Sequence, residues 1–203
     1  MGEPDFIHRF VPAKDASSRV LLLLHGTGGD ETDLLALGSE LDPGAALLSP
    51  RGKVTENGMP RFFRRFAEGV FDEEDIIVRA NELADFVTAA AENYEFDADN
   101  VTAVGYSNGA NIAAAMMLLR PEVLRGAVLF RAMVTLSNPP PAQLRGKRVL
   151  LSAGRHDPII ALPNVQQLAG LLKSAGADIT LEIQEASHGL VQEDRAAAKR
   201  WLD

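Results

Sequence analysis

Three side chains whose types suit nucleophilic acyl transfer occur along the chain in the order Ser107, Asp157 and His188. A serine hydroxyl is a poor nucleophile until a neutral imidazole removes its proton, and the imidazole needs a carboxylate to orient it. Each of the three follows a short apolar run, as in VTAVGY before Ser107 and DITLEI before His188. The residue types and their order therefore predict a Ser-His-Asp catalytic triad.

The serine lies in the pentapeptide GYSNG at 105–109, between a strand-like run and a helix-like run. It fits the pattern G-x-S-x-G, in which a sharp turn projects the hydroxyl from a sheet and the glycines avoid collisions with neighbouring backbone. The amino end of the following helix would direct free N–H groups towards a developing oxyanion. The alternative is a glycine-rich turn in which Ser107 is only the N-cap of that helix. The downstream Asp157 and His188 favour the catalytic interpretation.

Only one of the four histidines has the right position to act as the base. His8 lies near the N-terminus, His25 precedes the serine, and His156 is adjacent to the proposed acid, which could not orient it. His188 lies in QEASHGL, after the last strand-like run. The alternatives are a structural loop histidine at 188 and a turn aspartate before Pro158 at 157.

A glycine-rich segment, HGTGGDE at 25–31, follows the first strong apolar run. Such a turn can expose a backbone N–H near the serine, so the main-chain amides of Thr27 and Asn108 are predicted to form an oxyanion hole. A phosphate-binding loop is the competing interpretation. It is disfavoured because the GxGxxG spacing is missing and no Gly-Lys-Ser/Thr follows.

The composition limits the fold and the partners. A chain of 203 residues with 46% apolar residues is long enough for one core, which predicts a single domain over 1–203. The net charge of −8 argues against nucleic acid or an anionic membrane as the main partner. The lack of cysteine excludes disulfides, thiolate metal sites and a thiol nucleophile. Residues 1–18 show neither a signal peptide nor a membrane span, so a cytoplasmic location is expected.

Apolar runs alternate with helix-like segments along most of the chain. The strand-like runs are 19–26, 45–49, 100–106, 126–130, 148–154 and 178–183, and the helix-like segments are 31–41, 73–94, 108–120, 163–176 and 190–202. Ile76, Ile77, Leu83, Phe86, Val87 and Ala90 have helical spacing within the longest segment. The alternation predicts an α/β fold with a mainly parallel sheet and helices on both faces. The stretch FIHRFVP could add an edge strand.

Two segments, 51–73 and 131–146, fit neither period and follow predicted strands at the sheet edge where ligands bind. The first contains Met59, Phe62, Phe63, Phe66 and Phe71, too many large apolar groups for an exposed loop. Phe62 and Phe63 are predicted to form the acyl-side wall together with Met133 and Val134 of the second segment. Arg61, Arg64 or Arg65 is predicted near the rim. The alternative is that the aromatic residues anchor a long connection to the core.

With these residues in view, the chain resembles the phospholipase/carboxylesterase branch of the α/β-hydrolases, small bacterial carboxylesterases related to acyl-protein thioesterases. The resemblance lies in LLLLHGTGGDE, SPRGKVTENGMPRFFRRFAEGVFDEED, GYSNGANIA, LSAGRHDPI and SHGL. It implies the same triad and oxyanion hole, and a homodimer. Acyl-protein thioesterases usually have Gln after the serine, where this chain has Asn108.

The resulting hypothesis is an α/β-hydrolase without a large cap domain, acting as a serine carboxylesterase on small-molecule esters of short to medium acyl chain. No metal or organic cofactor is implied. An acyl thioesterase or lysophospholipase would use the same residues, and the sequence leaves the physiological substrate and leaving group open. A non-catalytic binding protein on the same fold would be expected to have lost part of the triad.

Overall fold

The computed structural model describes residues 6–13 and 19–203. The strands are β1 (His8–Val11), β2 (Val20–Leu24), β3 (Ala46–Pro50), β4 (Val54–Glu56), β5 (Met59–Arg61), β6 (Arg65–Ala67), β7 (Val70–Phe71), β8 (Val101–Tyr106), β9 (Gly126–Phe130), β10 (Arg148–Gly154) and β11 (Asp178–Gln184). The helices are α1 (Leu35–Leu41), α2 (Glu73–Tyr94), α3 (Asn108–Leu119), α4 (Leu162–Ser174) and α5 (Gln192–Leu202), with a 3₁₀ turn at Ala98–Asn100. The prediction about residues 1–18 falls partly outside the described ranges.

Seven strands form the central sheet, in the order β1-β3-β2-β8-β9-β10-β11. β1 runs antiparallel to β3, and the other neighbours are parallel. All five residues of β2 are buried, as expected for a parallel strand covered on both faces. The predicted α/β arrangement and the edge strand near the N-terminus are thus confirmed.

Helices cover both faces of the sheet. α2, α3 and α4 contribute to one buried apolar cluster, and α1 and α5 contribute to the other. Because the parallel strands point the same way, their carboxyl ends share one edge. The loops that begin at His25, Ser107, Arg131, Arg155 and Glu185 all leave from that edge.

The longest helix begins and ends where the sequence pattern predicts, at 73 and 94. Its N-cap Asp72 accepts a hydrogen bond from the Asp75 amide, and three acidic residues in the first turn suit the positive end of the helix dipole. Five of the six apolar residues predicted for its inner face are buried. Ile77 is the exception at 43% exposed, because its neighbour Ile76 already occupies the inward direction.

The segment 51–73 is more regular than predicted. It contains two short hairpins, β4–β5 and β6–β7, which we call the hairpin pair (residues 54–71). The first turn is Asn57-Gly58, both with positive φ, at 51° and 79°. Asn-Gly is a strong local hairpin signal, so this element was open to prediction from the sequence. The segment 131–146 contains no strand and is irregular as expected.

Candidate active site

Ser107 lies at the corner between β8 and α3 in a strained backbone conformation, with φ 53° and ψ −113°. The flanking glycines are required by close approach. A Cβ on Gly109 would come within 2.0 Å of the Leu24 carbonyl oxygen, and one on Gly105 within 2.7 Å of the Ala110 backbone. The Ser107 side chain makes no capping hydrogen bond to α3. The N-cap interpretation therefore does not describe this serine.

The structure brings the three predicted triad residues together. His188 Nδ1 lies 2.8 Å from Asp157 Oδ2, and His188 Nε2 lies 3.0 Å from Ser107 Oγ. Because a carboxylate only accepts, Nδ1 donates to Asp157 and Nε2 is left to accept the serine hydroxyl. The Asp157 side chain is 1% exposed and the His188 side chain 19% exposed. The arrangement has the connectivity that proton transfer from the serine would need.

The carboxylate of Asp157 is itself fixed. Its Oδ1 accepts the amides of Ile159 and Ile160, at 2.8 and 3.1 Å. One oxygen thus orients the carboxylate on its own loop while the other receives the imidazole N–H. The hydrogen bonds of Oδ1 fit the turn-aspartate interpretation, and the hydrogen bond of Oδ2 to His188 fits the catalytic one. The geometry is therefore compatible with both interpretations.

Arg131, which the sequence analysis did not single out, fixes the backbone on both sides of His188. It donates to the carbonyls of Ser187 and Gly189, at 3.1 and 2.9 Å, and makes two bonds to Asp194, at 2.9 and 2.7 Å. Both charged side chains are 0% exposed. The available signal was an arginine directly after the apolar run GAVLF, at the ligand-binding edge of the sheet.

The amides predicted to form an oxyanion hole are free within the described residues. Asn108 begins α3, so its N–H has no intrahelical acceptor, and the Thr27 N–H has no hydrogen-bond partner in the described part of the chain. Their side chains accept hydrogen bonds from residues of the hairpin pair. Thr27 Oγ1 accepts from Arg61 Nη1 at 2.6 Å, and Asn108 Oδ1 accepts from the Phe62 amide at 2.7 Å.

His25 joins the glycine-rich loop to the base of the hairpin pair. Its Nε2 accepts the Gly52 amide at 3.0 Å, so Nδ1 carries the proton and donates to the Gly26 carbonyl at 2.7 Å. The side chain is buried, and burial lowers its pKa below the ordinary value of 6.5. His25 is thus held as a neutral structural group and does not line the cavity above Ser107.

A cavity of about 300 Å³ opens above Ser107 and His188. This is the lower end of the range for small-molecule sites. Its lining residues are Thr27, Arg61, Arg65, Glu68, Gly69, Phe71, Tyr106, Ser107, Asn108, Asn111, Met133, Ile159, Ile160 and His188. The lining combines polar and charged side chains with apolar ones.

The predicted acyl-side wall needs correction. Phe62 and Phe63 are 2% and 0% exposed and belong to the core, not to the cavity lining. Their burial agrees with the alternative interpretation, in which the aromatic residues anchor a long connection to the core. Met133 does line the cavity, whereas Val134 packs against the core. The reason is that both rings lie in a bend between the two hairpins and pack inward, Phe62 against His25 and Phe63 against Phe71, and composition alone does not reveal such contacts.

The three arginines predicted near the rim also differ in position. Arg61 and Arg65 line the cavity. Arg64 does not, and its 61%-exposed side chain instead pairs with Asp72 and Asp75. Of the three candidates, two therefore contact the space above Ser107.

The sheet order, the strained serine turn and the residues gathered at the carboxyl edge define an α/β-hydrolase. The sequence profile of the Phospholipase/Carboxylesterase family matches residues 7–203, and the chain belongs to that family. It is thus a hydrolase of the carboxylic-ester class.

Individual relatives agree with this assignment. The chain is 47% identical over 188 residues to the putative hydrolase MhqD of Bacillus subtilis (strain 168), which covers 93% of this chain and 94% of that protein. The crystal structure of the Bacillus cereus carboxylesterase is 48% identical, covers 97% of this chain and 93% of its own, and superposes with a TM-score of 0.95. The structure of YahD with malic acid is 33% identical, with coverage of 97% and 98% and a TM-score of 0.91.

Two further observations concern the described residues, 6–13 and 19–203. None of their helices is long and apolar enough to cross a membrane. They also contain no group of three or more His, Asp or Glu side chains placed to hold a metal ion.

Proposed function

We propose that the chain is a serine carboxylesterase in which Ser107 is the nucleophile, His188 the general base and then acid, and Asp157 the residue that orients the imidazole. The observation that carries the proposal is the continuous chain of two hydrogen bonds from Ser107 Oγ through His188 to Asp157. A serine held at a strained turn needs a reason, since such backbone conformations persist mainly at functional sites.

In the first half-reaction, Ser107 Oγ attacks the ester carbonyl carbon while His188 Nε2 takes the hydroxyl proton. The carbonyl oxygen becomes negatively charged, and the amides of Thr27 and Asn108 donate to it. The positive end of α3 adds to this stabilisation. His188 then gives the proton to the leaving alcohol, and the acyl group remains on Ser107.

In the second half-reaction, a water molecule takes the place of the alcohol. His188 removes a proton from the water, which attacks the acyl carbon, and the same amides stabilise the second oxyanion. Collapse returns the proton to Ser107 and releases the acid. No step needs a metal or organic cofactor.

The cavity supports small substrates. At about 300 Å³ it accommodates a short or medium acyl chain better than a long one. YahD was solved with malic acid, and we propose that the cavity of this chain likewise takes a small organic molecule. A single domain over 1–203, a homodimer and a cytoplasmic location stay predictions from the sequence and its resemblance.

Acylation of Ser107 is the direct test. A fluorophosphonate probe is expected to label Ser107, and Ser107→Ala is expected to abolish labelling and to lower esterase kcat on the order of 10⁴-fold. Ser187→Ala is a matched control, because that side chain is exposed and adjacent to His188. It should keep both labelling and turnover. Comparable turnover of an ester by folded Ser107→Ala would reject the proposed nucleophile.

A further inference from the structure

Two arginines of the hairpin pair share one carboxylate at the cavity wall. Arg65 Nε lies 3.1 Å from each carboxylate oxygen of Glu56, and Arg61 Nε lies 3.3 Å from one of them. Glu56 does not line the cavity, whereas both arginines do. Two guanidinium groups and one carboxylate give this cluster a surplus of one positive charge, counted without the carboxylate of Glu68, which also lines the cavity. Glu56 contacts both arginines through their Nε atoms rather than through their terminal nitrogens.

Arg61 is the more constrained of the two. Its side chain is 3% exposed, its Nε donates to the Phe63 carbonyl, and its Nη1 donates to Thr27 Oγ1. Its Nη2 has no hydrogen-bond partner among the described residues. Burial lowers the pKa of Arg61, and the charge of Arg65 acts in the same direction. Because Nη2 is not among the buried atoms that lack a partner, it is accessible and can donate to a molecule in the cavity.

The rest of the lining contains both charged and apolar side chains. The apolar ones are Phe71, Met133, Ile159 and Ile160. Glu68 is the remaining charged group of the lining apart from the triad; it is exposed and forms no ion pair with another described residue. A substrate that fills this cavity would thus meet both guanidinium groups and hydrocarbon side chains.

We propose that the preferred ester carries a carboxylate that binds the terminal nitrogens of Arg61 and Arg65, while its ester group faces Ser107. This inference rests on the proposed serine esterase and names its substrate class. A planar guanidinium donates two parallel hydrogen bonds to a carboxylate, which fixes orientation as well as adding affinity. A phosphate monoester fits less well, because its charge of about −1.5 to −2 exceeds the surplus at the site.

Matched substrate pairs isolate the carboxylate. Monoethyl succinate and ethyl 4-oxopentanoate have nearly the same shape and differ in an anionic oxygen against a methyl group, on the acyl side. Acetoxyacetate and acetoxyacetone make the same comparison on the alcohol side. For each pair, the ratio of kcat/KM for the anionic ester to kcat/KM for the neutral ester is measured. Intrinsic reactivity cancels when the ratio is compared between variants.

The chain offers its own control, since Arg64 and Arg65 are neighbours and only Arg65 lines the cavity. Arg65→Met is expected to lower the ratio roughly tenfold or more in at least one pair, the loss typical of a charge-assisted hydrogen bond. Arg64→Met is expected to change it less than about twofold, and Glu68→Gln to raise it. Arg61→Met is a weaker test, because Arg61 also supports the Thr27 side chain.

Protection of Ser107 against the fluorophosphonate by succinate gives a readout without turnover, and Arg65→Met should weaken that protection. Equal ratios and equal protection for Arg64→Met and Arg65→Met would overturn the carboxylate proposal while leaving the esterase intact. Protection by inorganic phosphate but not by succinate would also overturn it. If wild-type Ser107 is neither labelled nor required for hydrolysis, the proposed function fails instead, and this inference falls with it.

Discussion

The loop that carries His188 (residues 185–191) and the hairpin pair both border the cavity, but they are held in opposite ways. Arg131 and Asp194, each 0% exposed, tie the loop to β10 and α5 through hydrogen bonds on both sides of His188. The hairpin pair depends on partly exposed ion pairs, such as Arg65 with Glu56, and on a few buried aromatic rings.

The two kinds of anchoring suit two different requirements of the proposed site, proton transfer and substrate choice. Proton transfer needs the imidazole within a few tenths of an ångström of its partners, which a buried and fully hydrogen-bonded ion pair can hold. Substrate choice needs a wall whose side chains can change without loss of the fold. Exposed ion pairs contribute little to stability, so exposed charges of the hairpin pair such as Glu68 can vary at small cost. We therefore expect the core to fix the proposed proton transfer and the exposed side chains to influence substrate choice.

Substitution of Asp194 is expected to have the largest effect on the stability of the fold. Asp194→Ala leaves the buried Arg131 charge without its partner and removes the acceptor of the Ser152 hydroxyl. We expect a loss of about 3–5 kcal/mol in the free energy of unfolding, measured by urea denaturation.

The double variant Arg131→Met/Asp194→Leu tests whether positioning and stability are separable. Removing both charges should recover much of the lost stability. Its kcat/KM should stay lowered by roughly tenfold, because the carbonyls next to His188 have lost their donors. A double variant with wild-type kcat/KM would show that the ion pair serves the fold alone.

Two phenylalanines of the hairpin segment provide the next contrast. Phe63 is 0% exposed and Phe66 is 76% exposed. Phe63→Ala is expected to cost about 3–5 kcal/mol in the free energy of unfolding, from lost burial and the cavity left behind. Phe66→Ala should change it by less than about 0.5 kcal/mol. If the two variants melt at the same temperature, the segment is not anchored as the structure describes.

Substitution of Met133 tests whether this residue lines the cavity or supports the core. Its side chain lines the cavity, so Met133→Ala is expected to shift the preferred acyl length. A methylene in an apolar pocket is worth about 1–3 kcal/mol of discrimination. The measurement is kcat/KM across a series of neutral esters of increasing acyl length. A uniform decrease for every ester, as expected for Phe63→Ala, would place Met133 in a structural role.

His25, which joins the glycine-rich loop to the base of the hairpin pair, is expected to have the smallest effect on stability, seen only in acid. Because burial lowers its pKa below 6.5, the unfolded chain takes up a proton that the folded chain does not. The contribution to stability is present above about pH 6.5 and is lost as the pH falls, by at most about 1.4 kcal/mol per pH unit. The difference in unfolding free energy between wild type and His25→Asn should therefore shrink from pH ~7.5 to ~5.5. A constant difference would contradict this.

Much of the fold and of the candidate site was predictable, for local reasons. The strand-like runs and the helical spacing of 73–94 reflect burial on both faces or on one face, which each segment records in its own residues. The serine turn was predictable because its glycines are needed by backbone contacts set within a few residues. The Asn57-Gly58 turn is equally local, and its Asn-Gly pair is a sequence signal for the β4–β5 hairpin.

The order of α and β elements, the residue types suited to acyl transfer and the sheet edge at which they gather follow from local sequence patterns. Three-dimensional contacts were needed to show which side chains of 51–73 face the cavity and which enter the core. They also showed that Arg131 holds the backbone around His188 through a residue 63 positions away. The physical reason is that periodicity and turn chemistry act between neighbours in the chain. The direction of a side chain in an irregular segment depends on distant contacts, such as the one between Asn108 and the Phe62 amide.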